Sequence, residues 1–72
     1  MNRHNQAAAT IELSREFRPY QWFNSELCRT RYAIQTRYPG RQWIFVMHKG
    51  SPLIFDDERT RDAEMERKAS GL

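Results

Sequence analysis

Apolar and polar side chains alternate over three stretches within the first fifty-five residues of this chain, and the period of that alternation assigns its strands. From Thr10 to Phe17, the apolar Ile11, Leu13 and Phe17 fall on one parity and Thr10, Glu12, Ser14 and Glu16 on the other, the period of a half-buried strand. The rival reading is a short helix with Ala9, Leu13 and Phe17 at i, i+4 spacing; the strand is preferred. Residues 29–38 and 41–48 also alternate, are rich in β-branched and aromatic side chains, and flank Pro39-Gly40, a turn signal. HKGSP then punctuates the chain before the run PLIF, which predicts a short further strand over 52–55. Pro19 ends regular structure after the first strand, because its ring fixes φ and removes a donor. RPYQWFNSELC reads as a connection whose Tyr20, Trp22 and Phe23 either cap one end of a small core, the preferred reading, or dock onto a partner.

The pattern changes after Phe55, where DDERTRDAEMERKASGL begins. Asp56 or Asp57 suits an N-cap, acids crowd the first turn, and Lys68 stands near the end before Gly71. Asp57 with Arg61 and Glu64 with Lys68 are spaced i, i+4. The only apolar members are Ala63, Met65 and Ala69, so the predicted helix has no face to bury and frays when alone. The fold class is therefore mainly β (α+β). Residues 1–9 form a disordered N-terminus, 10–56 a small antiparallel β-meander, and 57–72 a polar helix or disordered tail.

The register of the 29–48 hairpin decides what is buried. With an even loop, Ile34 opposes Phe45, and Tyr32, Ile34, Tyr38, Trp43, Phe45 and Met47 share a face. Arg29, Arg31, Arg37, Ala33, Gln42, Ile44, Val46 and His48 lie opposite. An odd loop sends Trp43, Phe45 and Met47 to the arginines and pairs Tyr32 and Ile34 with Ile44 and Val46. Pro-Gly turn chemistry does not choose between them. The larger apolar area of the aromatic set favours the even register. The predicted core is then Ile11, Leu13, Phe17, Tyr32, Ile34, Tyr38, Trp43, Phe45 and Met47. The predicted partner-binding residues are Arg29, Arg31, Arg37, Arg41, Ile44, Val46, His48 and Lys49, an aliphatic centre in a basic rim.

Composition narrows the function. Seventy-two residues allow one thin domain. A single cysteine, Cys28, forms no internal disulfide and fits a reducing cytoplasm. With His4 and His48 it has no metal-ligand spacing, so no cofactor is expected. No apolar run approaches a membrane span, and MNRHNQAAAT lacks the apolar stretch of a signal peptide. The net charge of +3 divides into +5 over residues 1–55 and −2 over 56–72, a sign asymmetry that points to different surroundings for the two parts. No phosphate loop or nucleophile–base set is visible, and an enzyme is not expected.

Two binding readings stay open: phosphates and bases held by a basic, aromatic sheet, or a monomeric adaptor docked on a larger protein assembly. In size, in the strand-turn-strand RYAIQTRYPGRQWIFVMHKG and in the ending FDDERTRDAEMERKASGL, the chain resembles the small host-regulating proteins of lytic bacteriophages. It is most similar to those of the Xanthomonas phage type that bind the bacterial RNA polymerase. The resemblance implies RNA polymerase as partner, inhibition of initiation at host promoters, and antitermination. It carries no site residues across.

Overall fold

A computed structural model describes residues 14–71. Strands β1 (Glu16–Asn24) and β2 (Arg29–Arg37) form an antiparallel hairpin with Glu16 opposite Arg37 and Asn24 opposite Arg29. The turn is held by Asn24, whose Oδ1 accepts the Leu27 N–H at 3.0 Å. It closes on Cys28, in the left-handed region at φ 55°. The other edge of β2 pairs with two short strands in line. β3 (Ile44–Phe45) lies against Thr36 and Gln35, and β6 (Ile54–Phe55) against Ala33 and Tyr32.

Between them the chain leaves the sheet as a second hairpin, β4 (Met47–His48) and β5 (Ser51–Pro52). Its two-residue turn has positive φ at both Lys49 (52°) and Gly50 (83°), the twist a tight hairpin requires. Val46 donates to the Ile34 carbonyl and Leu53 to that of Val46, both at 2.9 Å, which anchors the root of this hairpin. Helix α1 (Glu58–Ala69) follows β6 and packs on β1, β2 and β6. The α+β class read from the sequence therefore holds, as a mainly antiparallel sheet with one C-terminal helix.

Two expectations change. The first predicted strand, over 10–17, falls largely outside the described residues, Ile11 and Leu13 included. The strand that is present begins at Glu16 and runs through Pro19 to Asn24. Among the described residues β1 pairs only with β2. Pro19 faces Ile34, whose carbonyl points away to Val46, so no hydrogen bond is asked of the proline nitrogen. Proline is admitted at such an edge position.

The second change concerns the helix. It has an anchored face after all, and the anchor is an arginine. Arg61 is 1 % exposed. Its Nη1 donates to the carbonyls of Tyr20 (2.9 Å) and Ala33 (3.3 Å), which are opposite one another in β1 and β2. Nη2 reaches Gln21 Oε1 at 3.4 Å, and the guanidinium lies 5.4 Å from the Tyr32 ring centre. Asp62 at 2.7 Å and Glu58 at 3.6 Å balance the charge. The anticipated Asp57–Arg61 pair gives way to these partners, while Glu64–Lys68 forms at 3.5 Å.

Asp57 is instead the N-cap, its carboxylate accepting from the Thr60 N–H at 2.7 Å and the Thr60 hydroxyl at 3.1 Å. Those bonds, the backbone one foremost, hold the Asp57 pKa below its usual range. Glu64 is likewise lowered, chiefly by its hydrogen bond from Arg67.

Replacing Arg61 by Ala removes charge-assisted bonds to both strands and should cost about 3 kcal/mol, read as a fall in the urea midpoint. Arg61→Lys should recover only part of it, because an ammonium lacks the planar fork. Asp57 has a lowered folded pKa, so its stabilisation is present above the ordinary carboxylate range and is lost as pH falls through the lowered value. Helical ellipticity should therefore drop on acidification. Asp57→Asn, which caps without titrating, should flatten that drop to the share carried by Glu64.

Candidate binding face

The two faces of the sheet follow from the pairing. Gln21 and Tyr32 face each other and both touch Arg61, so α1 covers their side. Alternation puts Phe17, Ile34, Thr36 and Ile44 on that side too. The opposite face forms a grid of cross-strand rows. Glu16 and Arg37 are followed by Arg18, Gln35 and Phe45, then Tyr20, Ala33 and Ile54, then Trp22 and Arg31. Trp43 lies beside the first two rows, and Asp56 beside the last.

This grid overturns the predicted register. Phe45 faces Gln35, not Ile34, and Ile44 faces Thr36. A one-residue slip exchanges the faces. Arg41 donates to the Tyr38 carbonyl at 2.9 Å, and Gly40 takes φ 83°, so Pro39-Gly40 forms a tight turn of type II form. Arg41, Gln42 and Trp43 then stay outside the predicted 41–48 strand, and pairing resumes only at Ile44.

Side-chain area did not decide the register, because α1 packs over the side that carries the smaller aliphatics. Ile34 is fully buried and Val46 is 7 % exposed, so Val46 is core and not a partner contact. Tyr38 (45 %) and Met47 (54 %) are exposed and leave the predicted core. Trp43 and Phe45 are half-buried on the arginine face, while Phe17 and Tyr32 are half-buried beneath α1. Ile44 is exposed as expected, but on the α1 side.

On the open face Trp43 is shielded by arginine, and the other rings pack on one another. Trp43 is met by two guanidiniums, Arg18 at 4.3 Å and Arg37 at 4.4 Å from its ring centre, two cation–π contacts on one ring. Arg18 Nε donates to Gln35 Oε1 at 2.8 Å and Arg37 Nε to Glu16 Oε1 at 2.7 Å, which fixes both planes. Tyr20 packs edge-on against Phe45, centroids 5.2 Å apart, and tilts against Trp22 at 5.9 Å. Asp56 is shared by Arg29 (3.3 Å) and Arg31 (3.5 Å). The buried Nε of Arg31 has no acceptor among the described residues.

Of the predicted partner-binding residues, Arg29, Arg31 and Arg37 share this face. Arg41 lies in the turn, and His48 and Lys49 at the end of the second hairpin; all three are exposed but outside the grid. Arg18, Tyr20, Trp22 and Ile54 also share this face; Tyr20 and Trp22 were read as core caps in preference to partner contacts, and Arg18 and Ile54 were not singled out. Arg18, Tyr20 and Trp22 sit on one parity of EFRPYQWFN, a signal hidden by reading Pro19 as a stop.

No group of three or more metal-ligating side chains occurs among the described residues, and no described helix is long and apolar enough to cross a membrane. The chain is thus a small α+β protein whose sheet carries a helix on one face and an arginine–aromatic surface on the other. No protein-family model, curated protein or solved structure matches it.

The register has a direct consequence. Trp43→Ala should leave the protein folded, losing about 1–2 kcal/mol from two cation–π contacts and partial burial. Ile34→Ala, at a fully buried site, should cost about 2–5 kcal/mol. Paired urea denaturation measures both, and the opposite order would restore the even register.

Proposed function

We propose that this chain is a protein-binding module that docks through the open sheet face on the bacterial RNA polymerase of a host and regulates transcription. The carrying observation is the make-up of that face: an apolar strip of Tyr20, Trp22, Phe45 and Ile54 framed by arginines that already have partners on the protein. An apolar centre with a charged rim is the anatomy of a protein interface. Arg37 is engaged by Glu16, Arg18 by Gln35, and Arg29 and Arg31 by Asp56. The choice of RNA polymerase, with inhibition of initiation and antitermination, comes from the resemblance to the small phage regulators.

A second reading, direct binding of single-stranded nucleic acid, is favoured by Trp22 and Tyr20 standing on a sheet beside arginines, since bases stack on such platforms.

Capture by the tagged protein from nuclease-treated bacterial lysate separates the two. Stoichiometric polymerase subunits, retained over a wide range of salt, are the expected result. Tyr20→Ala should weaken capture about tenfold or more with an unchanged far-UV spectrum. Binding that returns only with added nucleic acid, and falls steeply with salt, would establish the second reading instead.

A further inference from the structure

The open face contains one small side chain, Ala33, at its centre. Tyr20 and Ile54 flank it across the strands, Arg31 and Gln35 along β2, and Trp22 and Phe45 at two diagonals. A notch of about 270 Å³ opens between Tyr20, Trp22, Phe45, Pro52 and Ile54, with Ala33, itself only 1 % exposed, at its base. Every wall is apolar or aromatic, so the notch suits one apolar side chain and offers nothing to a polar one.

The surroundings specify what flanks that side chain. Arg18 lies one row before the notch and Arg31 one row after it. Residues two apart on a strand point the same way and lie about 7 Å apart, so each guanidinium is rooted about that far along the strand direction. Taken together, the face has four guanidiniums, Arg18, Arg29, Arg31 and Arg37, against the two carboxylates Glu16 and Asp56. An extended ligand also repeats every two residues. A side chain in the notch therefore sets those two positions before and after it above Arg18 and Arg31.

We infer that the open face recognises an extended acidic segment of its protein partner with the spacing acid-x-Phe/Leu-x-acid, the central side chain seated on Ala33 and the acids on Arg18 and Arg31. This rests on the protein-binding reading above and names the chemistry of the partner. Arg31 offers an arriving acid the guanidinium donors that its 3.5 Å contact with Asp56 leaves over.

The test uses two short peptides of identical composition. One has Phe with acids two residues away on each side and Ser between. In its isomer the acids adjoin Phe and the Ser residues lie outside. Net charge is equal, so only geometry separates them. NMR titration of the full chain should show the first binding about tenfold or more tightly than the isomer, with the Ala33 and Ile54 methyl resonances moving most. Replacing the peptide Phe by Ala should abolish the difference. Ala33→Leu, which fills the notch, should do the same; the wild-type methyl shifts give a result even if that variant does not fold.

Equal affinities for the two isomers, or methyl resonances that do not move, would overturn the inference. The partner reading fails separately. If polymerase is captured while the isomers bind alike, the anchor geometry is wrong and the partner reading stands. If the spacing preference holds and no polymerase is captured, the reverse is true. An oligonucleotide that displaces the peptide and shifts the same methyls would overturn both.

Discussion

The buried guanidinium of Arg61 donates through one nitrogen to the carbonyls of Tyr20 and Ala33, which lie opposite each other in β1 and β2. It thereby clamps the central hairpin and binds the helix to it in a single contact. An isolated ionised group taken out of water is very costly. This one persists because two carbonyls, an amide oxygen, an aromatic ring and two carboxylates surround it. The helix has almost no apolar face, so its position cannot be set by a hydrophobic stripe. Hydrogen bonds that fit a planar fork set it instead, and they also fix orientation, which apolar contact alone does loosely. Asp57 and Thr60 start the helix so that Arg61 falls within its first two turns, directly over the sheet.

That clamp divides the sheet. On the clamped side Ile34, Val46 and Thr36 are closed from water with few neighbours to spare, as expected for a chain near the lower size limit of a self-sufficient core. The other side has no described helix over it and stays ordered through its own side chains. Trp43 against Arg18 and Arg37, Tyr20 on Phe45, and Asp56 between Arg29 and Arg31 hold one another in place. The arginines thus cover aromatic surface with their planes while remaining hydrated at their edges.

This division explains which parts of the fold were legible. The β2 strand, the Pro39-Gly40 turn, the run at Ile54 and Phe55, and the N-capped helix all have local signatures, and each is present. The β1 span was misread because Pro19 looks like a terminator unless its edge position is known, and edge position is a property of the whole sheet. The register was misjudged for a related reason. Side-chain area measures what a face would gain from burial, not whether an element exists to bury it. Here the covering element is attached by Arg61, whose role depends on carbonyls forty-one and twenty-eight residues away. Nothing in ERTRDAEMERKA marks that arginine apart from its neighbours. Three arginines of the open face were found and Arg18 was not, and the aromatics were placed behind them instead of among them.

In the proposed binding role, the same slip would make the face selective. In the even register the arginines would ring Ile44 and Val46, a flat aliphatic patch able to meet many surfaces. In the observed register they alternate with large rings around one alanine, so relief and charge are set by the same strand spacing. A ligand that satisfies the charges without filling the Ala33 notch leaves the rings exposed to water. One that fills the notch with acids out of phase leaves its carboxylates between the rows. Two such conditions on one short segment discriminate more sharply than either alone, because both penalties fall on the same wrong ligand.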